Sequence, residues 1–415
     1  MTLRCRLPAA VLLAAAVLAA DAPLPPGTQV PTDAAAPALE PTPAPAPTPA
    51  PPPTPAAGDT ARISRDNLLL LEKVPASADK IRRLEAIEAA CRAALPSEPE
   101  IKKGELTRVL GVAEGMRGLS LLALPIPFDG EEEAARNRRD ALEALKQSMK
   151  TLDGAIQASS DLAAKAADPN EKKRLQQESI RARFDRLEFA IQRARNLPLD
   201  APDRDTSLAS IVAAAGALAE DANVKKTPNT IKAVRFRGVA SAMRGANGLE
   251  QATRDFAAVL AFEIRAADRA AVLKLPAGPA LLADIDRFLE NEKLFARLER
   301  SEAFAAVDPA QARRDLDAIL PKVEKTQTPP NPLIEALRDR VLSLDVEMAI
   351  SAGGAEAGEA RIRALAAKFG NKSPVVERLR AHLRRILGDA YLESSELYTA
   401  AFASYQRGRA LLKTD

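Results

Sequence analysis

The sequence predicts an all-α protein, an array of antiparallel helical hairpins (an α-solenoid) that follows a disordered Pro/Ala-rich tether. Three observations lead to this fold class. Apolar residues recur at spacings of three and four over most of the chain after Asp59. Aromatic residues make up only 3% of the chain, and alanine dominates its hydrophobic 47%, which suits closely packed helices and disfavours strands. No stretch alternates apolar and polar residues convincingly enough to predict a strand.

Residues 1–22 have the three parts of a secretory signal peptide. Arg4 and Arg6 form a short basic region, and the apolar stretch LPAAVLLAAAVLAA follows at 7–20. Small residues come next, and the stretch is shorter than the roughly 20 residues of a spanning helix. We therefore expect cleavage and export to the periplasm or cell envelope, with no membrane span left in the mature chain. The alternative is an uncleaved anchor.

Residues 23–58 are predicted to form a disordered Pro/Ala-rich linker. This segment holds 14 of the chain's 32 prolines. Proline cannot continue a helix and extends the residue before it, so the linker favours polyproline II structure. At about 3.1 Å per residue it could reach on the order of 100 Å. We interpret it as a tether that holds a domain away from a surface; a segment threading the cell wall is the alternative.

After the linker, the helical pattern divides into regions at 59–200, 201–305 and 306–415. The residues DPNE at 168–171 and DPAQ at 308–311 each place an Asp at a helix N-cap and a Pro at the first helical position. Glycines at 353, 354 and 370 are typical of helix ends.

The segment 130–197 has the clearest apolar pattern. Two apolar stripes with spacings of three and four flank the turn at 168–169. Two such stripes joined by a tight turn predict an antiparallel, coiled-coil-like hairpin. An oligomeric coiled coil is the alternative. The stripes are Leu142, Leu145, Met149, Leu152 and Ile156, then Ile180, Phe184, Leu187, Ile191 and Ala194.

The chain contains the phrase GVAEGMRG at 111–118 and the phrase GVASAMRG at 238–245, which share six of eight letters. In each phrase the first, fifth and eighth residues would lie on one face of a helix. An interior glycine costs a helix about 1 kcal/mol relative to alanine, which is tolerable where another backbone must come close. We predict a helix-packing face; a kink, or a ligand that approaches the bare backbone, is the alternative. The positions are Gly111, Gly115, Gly118, Gly238, Ala242 and Gly245.

The surroundings of the two phrases also repeat. Each phrase follows an Ala-rich amphipathic helix, at about 79–95 and 206–222, and a short polar link with paired lysines. A third stretch has the same plan without the glycines, with helices at 309–325 and 332–350. We interpret the three as diverged helical hairpins at irregular spacing.

The segment 384–412 contains a spaced set of residues, Leu387, Gly388, Tyr391 and Ala400. By these residues it resembles a tetratricopeptide repeat (TPR), although the next aromatic of that pattern, Tyr405, comes one residue late. Residues 357–374 resemble the second helix of a preceding repeat, so that the TPR-like part is 355–415. The resemblance implies stacked helical hairpins and a role in binding proteins or peptides.

Several classes of function are disfavoured. The only histidine is His382, which excludes multi-histidine metal cages, and Cys91 would be the only cysteine left after signal cleavage. Cys91 lies on an apolar stripe and is predicted to be a small buried residue. The residues SADK at 77–80 match an SxxK motif, but their partner motifs are missing and a helix start at Ser77 explains them better. We predict no catalytic residues, no cofactor and no metal.

The charge balance points to no polyanionic partner. The net charge is only +3, and charges of both signs are interspersed. Nucleic-acid binding is therefore disfavoured. We predict an exported, non-catalytic helical-repeat scaffold or adaptor that binds other proteins. The alternatives are an envelope tethering protein whose Pro-rich arm spans the cell wall, and a hydrolase with a carboxylate-only site.

Overall fold

A computed structural model describes residues 60–392, apart from 73, 125–130, 226 and 326–331. All regular structure in these residues is helical, which confirms the predicted all-α class. None of the described helices has both the length and the apolar character that crossing a membrane requires. The predicted signal peptide and linker lie outside the described residues.

Thirteen α-helices and one 3-10 turn occupy the described residues. They are α1 (Thr60–Glu72), α2 (Ala78–Ala94), α3 (Glu100–Leu122), α4 (Glu131–Lys165), α5 (Pro169–Asn196), α6 (Arg204–Glu220), α7 (Asn229–Ala242), the 3-10 turn (Gly245–Asn247), α8 (Leu249–Leu260), α9 (Ala266–Leu273), α10 (Gly278–Phe304), α11 (Pro309–Val323), α12 (Pro332–Phe369) and α13 (Pro374–Leu392).

The described chain divides into two compact units. The first unit contains residues 60–236 and 264–286, and the second contains 237–263 and 287–392. The division falls within α7 and within α10. The three sequence regions at 59–200, 201–305 and 306–415 stay a prediction.

In the first unit, α4 and α5 pack along each other. Arg138, near the start of α4, donates to the carbonyl of Asn196 at the end of α5 at 2.7 Å. Near the other end, the hydroxyl oxygens of Ser160 and Ser179 lie 3.0 Å apart. The contacts therefore run in opposite directions along the two helices. At the turn between them, Asp168 caps α5 by accepting from the backbone N–H of Asn170 at 3.0 Å, which confirms the predicted helix start.

The core of the second unit lies among α10, α11, α12 and α13. Its fully buried members include Leu298, Leu316 and Leu365. Asp308 caps α11 by accepting from the backbone N–H of Gln311 at 2.9 Å, as the second Asp-Pro pattern predicts.

Helix α12 reverses direction at its glycine pair. The backbone leaves helical geometry at Gly353, and Gly354 has a φ of 73°. After the reversal, a Cβ on Gly358 would lie 2.6 Å from Cγ1 of Ile350. Residues 332–352 and 355–369 are thus two helices that pack side by side. The predicted helix ends are confirmed here and at Gly370, whose φ is 91°.

Candidate functional site

The glycines of the first phrase lie against neighbouring helices. Gly111 and Gly118 both face α4, and Gly104, one heptad earlier, faces it too. A Cβ built on any of the three would lie less than 3.0 Å from an α4 side chain, closer than ordinary van der Waals contact. The three contacts keep one antiparallel register. The nearest atoms are Ser159 Oγ at 2.5 Å from Gly104, Leu152 Cγ at 2.7 Å from Gly111 and Leu145 Cγ at 2.9 Å from Gly118.

The close approach also lets a side chain bond to the α3 backbone. The hydroxyl of Ser148 donates to the carbonyl of Gly111 at 2.6 Å, and Ser148 is fully buried. Because Gly111 has no side chain, the helices come near enough for this bond. Sequence reasoning missed Gly104, although its spacing of seven from Gly111 is a signal that could have identified it.

Gly115 faces a different helix from its two companions. A Cβ on Gly115 would lie 2.4–2.5 Å from three ring carbons of Phe189, on α5. The predicted packing face of Gly111, Gly115 and Gly118 therefore contacts two helices, α4 and α5. Residues four apart on a helix point in directions that differ by about 40°. Gly115 therefore points toward α5, whereas Gly111 and Gly118 point toward α4.

The second phrase does not lie within one helix, which corrects the prediction for Gly245. Helix α7 ends at Ala242, a half-buried residue. Gly245 has a φ of 63° and nothing near the position of a Cβ. The left-handed backbone at Gly245 lies beyond the end of α7 and starts the 3-10 turn, since glycine adopts positive φ without steric cost. Gly238 does pack: its Cβ would lie 3.1 Å from Cβ of Asp255 and 3.3 Å from the ring of Phe256.

The most crowded glycine near the second phrase is Gly248, which sequence reasoning missed. Its Cβ would lie 1.9 Å from the carbonyl oxygen of Ser241, a backbone atom. Gly248 precedes α8, so it allows the chain to return across the end of α7.

Buried carboxylates in the first unit are held by arginines from a neighbouring helix. Glu88 and Glu114 are 3% and 0% exposed. Arg117 donates to Glu88 at 2.7 Å, and Arg92 donates to Glu114 at 2.6 Å. Thr151 of α4 donates to the second oxygen of Glu114 at 2.7 Å. The cluster ties α2, α3 and α4 together, because a buried charge needs both a partner and hydrogen bonds.

The second unit repeats this arrangement between successive helices. Asp315 of α11 is 1% exposed and accepts two bonds of 2.6 Å from Arg300 of α10. Asp345 of α12 is fully buried and accepts from Arg313 of α11 at 2.7 Å and from Arg361. Bidentate pairs of this kind fix the relative positions of the helices that carry them.

Arg361 extends the network to Glu324. Burial by itself raises the pKa of the Glu324 carboxyl, but the hydrogen bonds from Lys368 and Arg361 outweigh burial and hold that pKa below its ordinary value. Glu324 therefore stays charged between two cations.

The other chemically notable residues have structural surroundings. Cys91 is fully buried, as predicted, and burial raises the pKa of its thiol. Ser77 caps α2 by accepting from the backbone N–H of Lys80 at 3.2 Å, which favours the helix-start interpretation of SADK. His382 lies 2.7 Å from a carboxylate oxygen of Glu347. No group of three or more potential metal ligands is found in the described part of the chain.

The TPR-like residues are only partly covered by the structure. Leu387 lies in α13 and packs, half-buried, against the core of the second unit. Gly388 and Tyr391 belong to α13, and Ala400 lies outside the described residues.

No family model, no curated protein and no solved structure matches this chain.

Proposed function

We propose that the protein is an exported, non-catalytic scaffold or adaptor in which stacked helical hairpins bind other proteins or peptides in the periplasm or cell envelope. The observation that carries the proposal is the sequence of helix reversals between α10 and α13. Arrays of this kind present long surfaces formed by one helix of each hairpin, and such surfaces bind proteins.

The first two hairpins of the proposed array are supported by side-chain contacts. In α10 and α11, Glu290 pairs with Lys322, and Arg300 pairs with Asp315, so the numbering runs in opposite directions. Within α12, Gly358 contacts Ile350, so the two halves of this helix also run in opposite directions.

Contacts between successive hairpins join helices that run in the same direction. Asp339 of α12 pairs with Arg378 of α13 at 2.9 Å, and Glu347 pairs with His382 at 2.7 Å. Here both residue numbers increase together, as expected when the first helices of successive hairpins lie parallel. We call the side that carries these pairs the first-helix side.

Photo-crosslinking would test this function. The full-length chain would carry a crosslinking amino acid in place of Arg378, on the first-helix side, or in place of Asp317 on α11. The two side chains are matched in exposure at 57% and 55%. We expect one of the two positions to capture the same envelope protein repeatedly, and a large excess of uncrosslinked chain to abolish the capture. Capture from both positions alike, or from neither, would contradict a binding surface formed by one side.

The tethering alternative is distinguished by deleting residues 23–58. An adaptor keeps its crosslinks in this variant, whereas a cell-wall tether loses its association with the envelope. Export is tested by sequencing the N-terminus of the protein recovered from the envelope. We expect it to begin near residue 20, and an intact Met1 in the membrane fraction would support an anchor.

The carboxylate-only hydrolase has less support. A glycosidase-type pair needs two carboxylates beside a substrate cleft, one of them free to donate a proton. The buried carboxylates described above face arginine or lysine, and they lie between packed helices.

A further inference from the structure

An open cleft of about 270 Å³ lies in the first unit, where the end of α4, the first half of α5 and the loop after α6 meet. Its polar lining comes from Ser160, Lys172, Gln176, Ser179, Arg183, Asp221 and Asn223. None of these residues takes part in the glycine contacts or in the contacts between α10 and α13. The cleft is therefore independent of the surface on which the proposed function rests.

The charge of the cleft is positive. Asp221 is the only acidic residue of its lining, and it is already engaged. Its carboxylate accepts from Arg183 at 3.0 Å and from the backbone N–H of Asn223 at 2.9 Å. Lys172 is exposed, and its ammonium group has no hydrogen bond or ion pair to any other residue that the structure describes. One uncompensated positive charge thus faces the cleft, which matches one carboxylate better than a phosphate dianion.

A hydroxyl pair supplies a hydrogen-bond donor. Ser160 and Ser179 lie 3.0 Å apart across the cleft wall, and Ser179 is 4% exposed. Only one of the two hydroxyls donates in this bond, so the other keeps its proton for a ligand. The amide of Gln176 adds both a donor and an acceptor.

The apolar part of the lining consists of two alanine side chains and one isoleucine side chain. Ala163 and Ile180 are buried, and Ala164 is exposed beside them. Methyl-sized groups of a ligand would cover these side chains, whereas the hydroxyl-rich surface of a sugar acid would leave polar groups without partners.

We propose that this cleft binds the free C-terminal carboxylate of a short peptide with small side chains. Lys172 faces the carboxylate, the serine pair donates to a peptide carbonyl, and the alanines contact methyl side chains. The cleft would thereby recognise a chain end, not an extended protein surface.

The test uses N-acetyl-Ala-Ala-Ala as the probe, with its C-terminal amide as the matched ligand, and measures binding to the full-length chain by ligand-observed NMR. We expect the acid to bind and the amide to bind about two- to fivefold more weakly, the effect of one exposed ion pair. Lys172→Met should weaken binding of the acid by about two- to fivefold and leave binding of the amide unchanged.

Lys173→Met is the control, because Lys173 is also exposed but does not line the cleft. It should bind the acid like the parent chain. Equal binding of acid and amide, or equal losses in the Lys172 and Lys173 variants, would overturn the proposal. Displacement of the acid by an equal concentration of inorganic phosphate would also overturn it, since the site would then be a general anion site. Circular dichroism melts of both variants show whether the fold is kept.

Discussion

The two phrases that share six of eight letters have different structures. Residues 111–118 lie inside α3, where Gly111 and Gly118 contact α4 and Gly115 contacts α5. Residues 238–245 begin in α7 and continue past its end, so that only Gly238 has a close contact and Gly245 is open to solvent.

The difference shows that a glycine at a given place in a phrase has no fixed role. In α3 the helix continues for four residues beyond Gly118, so every glycine of the phrase meets a neighbouring helix. Helix α7 ends at Ala242, and the chain turns left-handed at Gly245, so the same letter lies outside the helix. The crowding then falls on Gly248, outside the phrase.

The largest effect is expected for Gly115→Leu. The ring of Phe189 occupies the place of a Cβ, and Phe189 is only 6% exposed. Overpacking there should lower the free energy of unfolding by about 3 kcal/mol. Urea unfolding of the full-length chain, followed by circular dichroism, measures the change, and hydrogen exchange of α3 and α5 locates it. A variant as stable as the parent would show that Gly115 does not pack against α5.

Gly248→Ala should be the next most destabilising, by about 2 kcal/mol. The atom in the way is the carbonyl oxygen of Ser241, and a backbone atom moves only if the turn between α7 and α8 moves. The same unfolding measurement applies. If Gly248→Ala proved milder than Gly245→Ala, the contrast drawn between the two glycines would be wrong.

Gly238→Leu is expected to cost about 1–2 kcal/mol. Its neighbours, Asp255 and Phe256, stand just inside ordinary contact distance, so a methyl can be absorbed but a larger side chain cannot. Gly238→Ala should therefore be close to neutral, since better helix propensity offsets the tighter contact. A Gly238→Leu chain that melts at or above the parent temperature would place this face in open solvent.

The smallest effects separate conformation from packing. Gly245→Ala should cost about 1 kcal/mol through its positive φ alone, and Gly245→Asn should cost less because asparagine tolerates that region better.

Gly154→Ala, at an exposed site inside α4, should instead stabilise the protein by about 0.5–1 kcal/mol. Thermal melts of these variants check both signs, and a destabilising Gly154→Ala would mean that helix propensity is not the controlling term in α4.

Local features of the sequence predicted much of the fold. The Asp-Pro caps at 168 and 308 and the glycine ends at 353, 354 and 370 stand where they were expected. Each depends on side-chain and backbone bonds within about four residues, which the sequence contains in full. The apolar stripe of α5 is buried at all five predicted positions, whereas in α4 only Leu145 and Leu152 of the five are buried.

The candidate site could not be predicted to the same degree. The polar cleft joins residues 160–164, 172–183 and 221–223, which no spacing rule brings together. The buried Asp345 meets Arg313 and Arg361, but the chain holds 59 Lys/Arg and 56 Asp/Glu, so the pairing cannot be identified from composition or periodicity.

The sequence by itself determined that the described chain is helical and where several helices begin and end. It also showed recurring glycines, which favour close helix packing. Only the tertiary structure decided that Gly104 belongs with Gly111 and Gly118, that Gly115 meets another helix, and that Gly245 meets none. The reason is physical. Helix formation and capping arise from bonds between near neighbours in the chain, whereas the space around a missing Cβ depends on which distant helix packs there.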